Sequence, residues 1–150
     1  MATDSLAKAL EHDHLEVDAV IAAFADAPGD QATLDNAFRA LRRHIYLEEE
    51  FLFPVVPKAD PSLTRAVTIL VREHAHIWDS LDSIERQTDP DAKSALCEQL
   101  AIYLLNHNTK EEQLVYPQVD EALPAAEVER ARAFLESGEL PEGWVCEWAR

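Results

Sequence analysis

Residues 42–54 read RRHIYLEEEFLFP, and residues 105–117 read LNHNTKEEQLVYP. Each stretch has a histidine, a Glu-Glu pair four and five residues on, an aromatic at nine and a proline at ten. His44, Glu48, Phe53 and Pro54 thus correspond to His107, Glu111, Tyr116 and Pro117. On a helix, residues four apart stack on one face. His44 with Glu48, and His107 with Glu111, therefore each aim an imidazole and a carboxylate in one direction at one level.

The stretches preceding them correspond as well, EHDHLEVDAVI in the first and REHAHIWDSL in the third. Between them lie stop and start signals that cut the chain into helices. The first runs from about Thr3 to Asp26 and is closed by Pro28-Gly29. Asp30 caps a second that continues to about Phe53, where Pro54 and Pro57 end or bend it. Asp60-Pro61 starts a third helix, to about Gln87, and Asp89-Pro90 starts a fourth, to about Tyr116, with Pro117 as punctuation. A shorter helix from about Pro124 to Glu136 stops at Ser137-Gly138. Short links between long helices favour antiparallel neighbours. The expectation is an all-α, up-down-up-down antiparallel four-helix bundle over about residues 3–122, with a short C-terminal helix and tail over about 123–150. The two hairpins share a pattern, which implies an approximate internal twofold within a single domain spanning 1–150.

Composition agrees with this reading. The chain has 150 residues, 47% of them apolar and only three of them glycine, which suits a packed helical domain better than a β-sandwich. With 29 acidic against 13 basic residues, its formal charge is −16. Nucleic acids and anionic membranes both need a basic footprint, so neither is an expected partner. The N-terminal stretch MATDSLAKALEHDH contains no long apolar run, and the expected location is cytoplasmic. Cys97 and Cys146 form neither a disulfide framework nor a CxxC motif, and Cys97 reads as a small buried hydrophobe.

Six histidines fall on the four long helices. Neutral imidazole suits iron and zinc, and carboxylates can bridge two hard cations. Two facing His/Glu pairs, joined by one histidine from each remaining helix, would make a dinuclear site in the bundle core. The apolar faces choose between the remaining histidines. His14 shares its face with Leu10, Val17 and Ile21, whereas His12 keeps company with Lys8, Glu16 and Ala19. His74 lies among Leu70, Val71, Ile77, Trp78 and Leu81, whereas His76 has Arg72, Asp79, Ser80 and Ser83. The stripes select His14 and His74 and leave His12 and His76 to solvent. An account without metal would bury four histidines and two glutamates with no compensating charge, which is costly.

At these residues the chain resembles the hemerythrin-like, or HHE cation-binding, family over about residues 5–120. The motif pair H-x-x-x-E-E-x-x-x-x-P stands at His44–Pro54 and His107–Pro117, and DHLEVDAVIAAF and EHAHIWDSLDSI resemble the single-histidine helices. The resemblance implies a bundle holding a non-haem centre of two iron ions, bridged by two carboxylates and an oxo, hydroxo or water oxygen. The implied ligands are His14, His44, Glu48, His74, His107 and Glu111. One departure stands out. Oxygen-carrying hemerythrins have a further histidine four residues after the position of His74, where this chain has Trp78. Their last carboxylate stands five residues after its histidine, so Glu112 is an alternative to Glu111. Without the extra histidine each iron keeps an open position, and the pattern favours reactivity over oxygen carriage.

Other residues read more plainly. Asp18 is a candidate to orient an imidazole or a solvated charge. Glu49, Glu50 and Glu112 read as solvated faces or as partners of Arg42, Arg43 or Lys110. Tyr103 is a better candidate than Tyr46 for the metal pocket, with ordinary core packing favoured for it. Phe51, Phe53, Trp78 and Tyr116 read as the packed shell that keeps water out. The functional expectation is a protein that binds or reacts with O2, NO or peroxide in stress response or sensing. An iron store or iron sensor without turnover, and a redox enzyme repairing damaged iron centres, are the alternatives. Whether the chain is an enzyme is left open, as is its oligomeric state.

Overall fold

A computed structural model describes residues 5–150, which are all-helical with no strand among them. The long helices are α1 (Leu6–Asp26), α2 (Gln31–Leu47), α4 (Thr64–Arg86) and α5 (Pro90–Lys110), with a short α3 (Val56–Ala59) between the second and third. Two further helices follow, α6 (Tyr116–Ala122) and α7 (Ala125–Ser137).

Most starts lie where the cap signals put them. Asp30 accepts from the Thr33 N–H at 3.0 Å, and Asp89 from the Ala92 N–H at 2.9 Å. The expected start of α1 at Thr3 lies outside the described residues; Ser5 is the cap and accepts from the Lys8 N–H. The N–H groups of Leu6 and Ala7 go to the Asp120 carboxylate, which ties the first turn of α1 to α6. After Asp60-Pro61 the chain first makes a tight 3₁₀ turn, Pro61–Leu63, before α4 begins.

The ends of α2 and α5 differ from the expectation. Neither runs on as an α-helix to its proline. Each gives way to one π-helical turn, Glu48–Leu52 after α2 and Glu111–Val115 after α5. The Phe53 and Tyr116 N–H groups close these turns on the carbonyls of Glu48 and Glu111. Single π turns of this kind are frequent at functional sites. Pro117 does not stop the chain either, because it falls in the first turn of α6, where a missing N–H costs nothing.

Two apolar clusters fill the interior. One gathers Ile21, Phe38, Ile77, Leu81 and Leu100, and the other Leu10, Leu52, Leu70, Val115 and Val119. α1 packs against both α2 and α5, and α4 packs against α5. Along α1 the two clusters are separated by His14 and along α4 by His74; His44 lies between Leu41 of the first cluster and Leu47 of the second, and His107 between Leu104 of the first and Val115 of the second. A buried polar layer thus lies between two hydrophobic plugs. The tail returns over the bundle: Leu140, Trp144, Val145 and Cys146 pack on the first cluster, and both cysteines are buried and free. Burial pushes each thiol up to about 11. At Gly138 the backbone is extended rather than left-handed; an added Cβ would stand 2.2 Å from the Phe134 ring, so close approach is what requires glycine there.

Candidate metal centre

All six residues singled out by the motif pair and the apolar faces meet in the polar layer. Each is at most 4% exposed. They form two groups, His14, His44, Glu48 and Glu111, and His74, His107, Glu48 and Glu111, each with donor atoms within 4.8 Å of one another. Both glutamates belong to both groups, and each divides its oxygens between them. Glu48 turns Oε2 to His44 (3.4 Å) and Oε1 to His74 (3.2 Å). Glu111 turns Oε1 to His14 (3.2 Å) and Oε2 to His107 (3.2 Å) and His74 (3.5 Å). That is the disposition of two carboxylates able to bridge a pair of cations.

Each of the four histidines in the cluster is held from behind by another carboxylate. His14 Nδ1 lies 2.8 Å from Glu112, His44 Nδ1 2.7 Å from Asp13, His74 Nδ1 2.7 Å from Glu49 and His107 Nδ1 2.9 Å from Glu73. In the neutral tautomer these partners select, Nδ1–H donates outward and the Nε2 lone pair faces the centre, as metal-bound histidine requires. The arrangement repeats across the pseudo-twofold. The acid just before each single histidine, Asp13 or Glu73, serves the histidine of a motif helix, and the acid just after each shared glutamate, Glu49 or Glu112, serves a single histidine.

Sequence reasoning missed these four residues. Glu49 is not a solvated charge; its side chain is 5% exposed and bound to His74. Glu112, the alternative to Glu111, stays outside both groups and reaches His14 from behind. Glu50, by contrast, is an exposed partner of the Trp144 indole and Arg150. Asp18 does not orient an imidazole but accepts from Asn108 Nδ2 at 3.0 Å. Lys110 pairs with Glu73, and Arg42 with Asp82 and Glu85. The signal that could have been read is the acid flanking each of the four positions, which the internal repeat doubles.

The remaining histidines lie elsewhere. His12 is on the surface with Glu16 at 3.0 Å, and exposed His76 packs its ring against Tyr103, 4.3 Å away. Tyr103 is thereby placed outside the cluster. Trp78 does not wall the site: its ring meets Trp144 edge-on, with Arg42 over its face, in the first apolar cluster. The aromatic that does reach the centre is Tyr116. Its hydroxyl donates to Glu48 Oε2 at 2.7 Å and lies 2.8 Å from His44 Nε2 and 3.0 Å from His14 Nε2.

The charges follow from this crowding. Burial and the adjacent His44 push the His14 pKa down, but contacts with Glu111 and Glu112 outweigh them and hold it up at about 9. Burial likewise opposes charge on His44 and His74, yet carboxylates raise both well above the ordinary value. Burial alone would raise Glu111; the His107 charge and contacts with His14 and His74 carry it well below the usual carboxylate range. Burial and the two glutamates push the Tyr116 phenol well above its usual value. Protons and a cation compete for this cluster.

A cation fits the donors better. Among the described residues, Glu48 Oε1, His74 Nε2 and Glu111 Oε2 are buried with no hydrogen-bond partner, although the two carboxylate oxygens lie 3.2 and 3.5 Å from the imidazole nitrogen. Six carboxylates surround four imidazoles, a donor set of nitrogen and oxygen that matches iron, and a bound cation would satisfy the orphaned atoms together.

The carboxylates behind the histidines should matter nearly as much as the ligands. Removing such a partner usually costs about 10–100-fold in metal affinity. Glu49→Gln is therefore expected to weaken one site by about that factor, while Glu50→Gln leaves affinity unchanged; equal affinities measured by competition with a chelator would refute the role given to Glu49.

A helical protein with a buried, carboxylate-rich cation site shared between four helices is the class that fold and site define. The chain belongs to the hemerythrin HHE cation-binding domain family, whose family model matches residues 5–119. It is a metal-binding domain of a kind that typically takes iron. No curated protein and no solved structure matches the chain. Among the described residues, no helix is long and apolar enough to cross a membrane.

Proposed function

We propose that this chain is a non-haem di-iron protein that binds or reacts with a small oxidant or gas, O2, NO or peroxide. The observation that carries this reading is that Glu48 and Glu111 each offer one oxygen to each of two histidine pairs. His14 and His44 would hold one iron and His74 and His107 the other, with both glutamates bridging. The antiparallel up-down order of α1, α2, α4 and α5 belongs to the same proposal, as does a single domain, and the packing of α1 on α2 and α5 supports it.

Iron, when bound, supplies the redox electrons and the affinity for a diatomic or peroxide ligand. The protein supplies the rest. The apolar clusters on either side exclude bulk water. Asp13, Glu49, Glu73 and Glu112 fix the imidazoles and keep them basic. Burial of all six residues restricts visitors to small molecules, which suits a gas or peroxide better than a protein-borne iron centre under repair. Domains of this type bind small ligands such as O2. A role in stress response or sensing, in the cytoplasm, is the setting that fits such a reactant.

Anaerobic addition of O2, NO and peroxide to the ferrous protein, followed optically, tests the reading. A reversible new band means binding, and repeated consumption of peroxide means turnover. No spectral response to any of the three would contradict it.

A further inference from the structure

The internal repeat is broken at one chemically active position. Phe53 and Tyr116 both close a π turn five residues after a bridging glutamate. Both stack on a histidine of the centre: Phe53 on His74 with centroids 5.5 Å apart and planes at 15°, Tyr116 on His14 at 5.4 Å and 27°. Both are buried, at 5% and 0% exposure. One of the two carries an oxygen.

That oxygen stands 2.8 Å from His44 Nε2, 3.0 Å from His14 Nε2, 2.7 Å from Glu48 Oε2 and 3.4 Å from Glu111 Oε1. These four atoms are the inward donors of the first group. Adjacent ligands of one six-coordinate ion with bonds of about 2.0–2.2 Å stand about 3 Å apart. The hydroxyl thus keeps that separation to His44 Nε2, His14 Nε2 and Glu48 Oε2 and stands somewhat farther from Glu111 Oε1. Of the four counterpart donors in the other group, Glu48 Oε1, His74 Nε2 and Glu111 Oε2 are among the buried atoms without a hydrogen-bond partner in the described residues.

We propose that Tyr116 is a fifth protein ligand of the metal held by His14, His44, Glu48 and Glu111. The centre is then asymmetric. The His74 and His107 half, which faces Phe53, is the one that keeps a position for an incoming small molecule. This inference rests on the di-iron reading above. As the oxygen–metal bond forms, the phenol O–H breaks and its proton leaves to solvent; no electron is transferred. Tyr116 is in this view a ligand that closes one half-site and directs chemistry to the other.

Iron added as Fe(II) to the full chain and oxidised in air tests it, with iron per chain and visible absorption as readouts. A phenolate bound to ferric iron gives an intense visible charge-transfer band, with tyrosine ring vibrations enhanced in resonance Raman. The parent is expected to hold two irons and show the band. Tyr116→Phe is expected to keep two irons and lose it. Phe53→Tyr, which places a second phenol at the equivalent position, should about double it. Two irons with no band in the parent, or a band that survives in Tyr116→Phe, would overturn the ligand assignment and leave the di-iron reading standing. An unchanged band in Phe53→Tyr would overturn the claimed equivalence of the two positions. A parent chain that takes up no iron would overturn the di-iron reading and the ligand assignment with it.

Discussion

Glu111→Gln is expected to release both metal ions, lowering iron from two per chain to less than one. The substitution keeps size and leaves one carbonyl oxygen, but it removes the negative charge that both groups share. Glu111 Oε1 serves the His14 side and Oε2 the His74 and His107 side, so no half-site escapes. Metal binding at a thousandfold excess over Kd stabilises the folded state by about 4 kcal/mol. With two such sites lost, at roughly 2–4 °C per kcal/mol for a chain of this size, the variant should melt about 20 °C below the loaded parent. Without metal, parent and variant should lie much closer together. Calorimetry of both proteins with and without iron separates the metal-linked loss from simple damage to packing. A variant that retains two irons would show that Glu111 is not a bridge.

His74→Ala should take away one iron, and His76→Ala none. The two residues are two positions apart on α4 and so point to different sides. His74 is fully buried against Glu48, Glu49 and Glu111, while His76 is exposed beside Tyr103. His12→Ala should be as silent as His76→Ala, since its partner is surface Glu16. Iron per folded chain, measured after gel filtration, decides the matter. Loss of metal from His76→Ala with retention in His74→Ala would mean that α4 presents its other face to the centre.

Much of this architecture was legible in one sequence because its signals are local. Asp30 and Asp89 act through backbone groups three residues away, and they start their helices regardless of what packs above them. Apolar stripes separated His14 from His12 and His74 from His76 because a helix face is a matter of spacing alone. What was not legible depends on other helices. Glu49 lies one position beyond Glu48 and leaves its own helix in a different direction, which reads as solvent until α4 brings His74 against it. Asp13 and Glu73 are hidden in the same way, each reaching a histidine on a neighbouring helix.

Tyr116 escaped for a different reason. In an uninterrupted α-helix, the residue five after Glu111 turns well away from it. The π turn's i to i+5 bond brings Tyr116 back over the glutamate and into the cluster. Nothing in the spacing announces that turn. Trp78 failed in the opposite sense. One turn beyond His74 it shares the inward face, but the polar layer is only about a turn deep, and the returning tail claims the indole through Trp144.

The central claim is that two irons share two carboxylates in the core of this chain. Elemental analysis of the purified protein, read together with electron paramagnetic resonance of its ferric form, tests it most directly. The account predicts two irons per chain and no signal from isolated ferric ions, because bridged ions couple magnetically. One zinc per chain with no uptake of iron, or two irons that give the signal of separate ions, would contradict it.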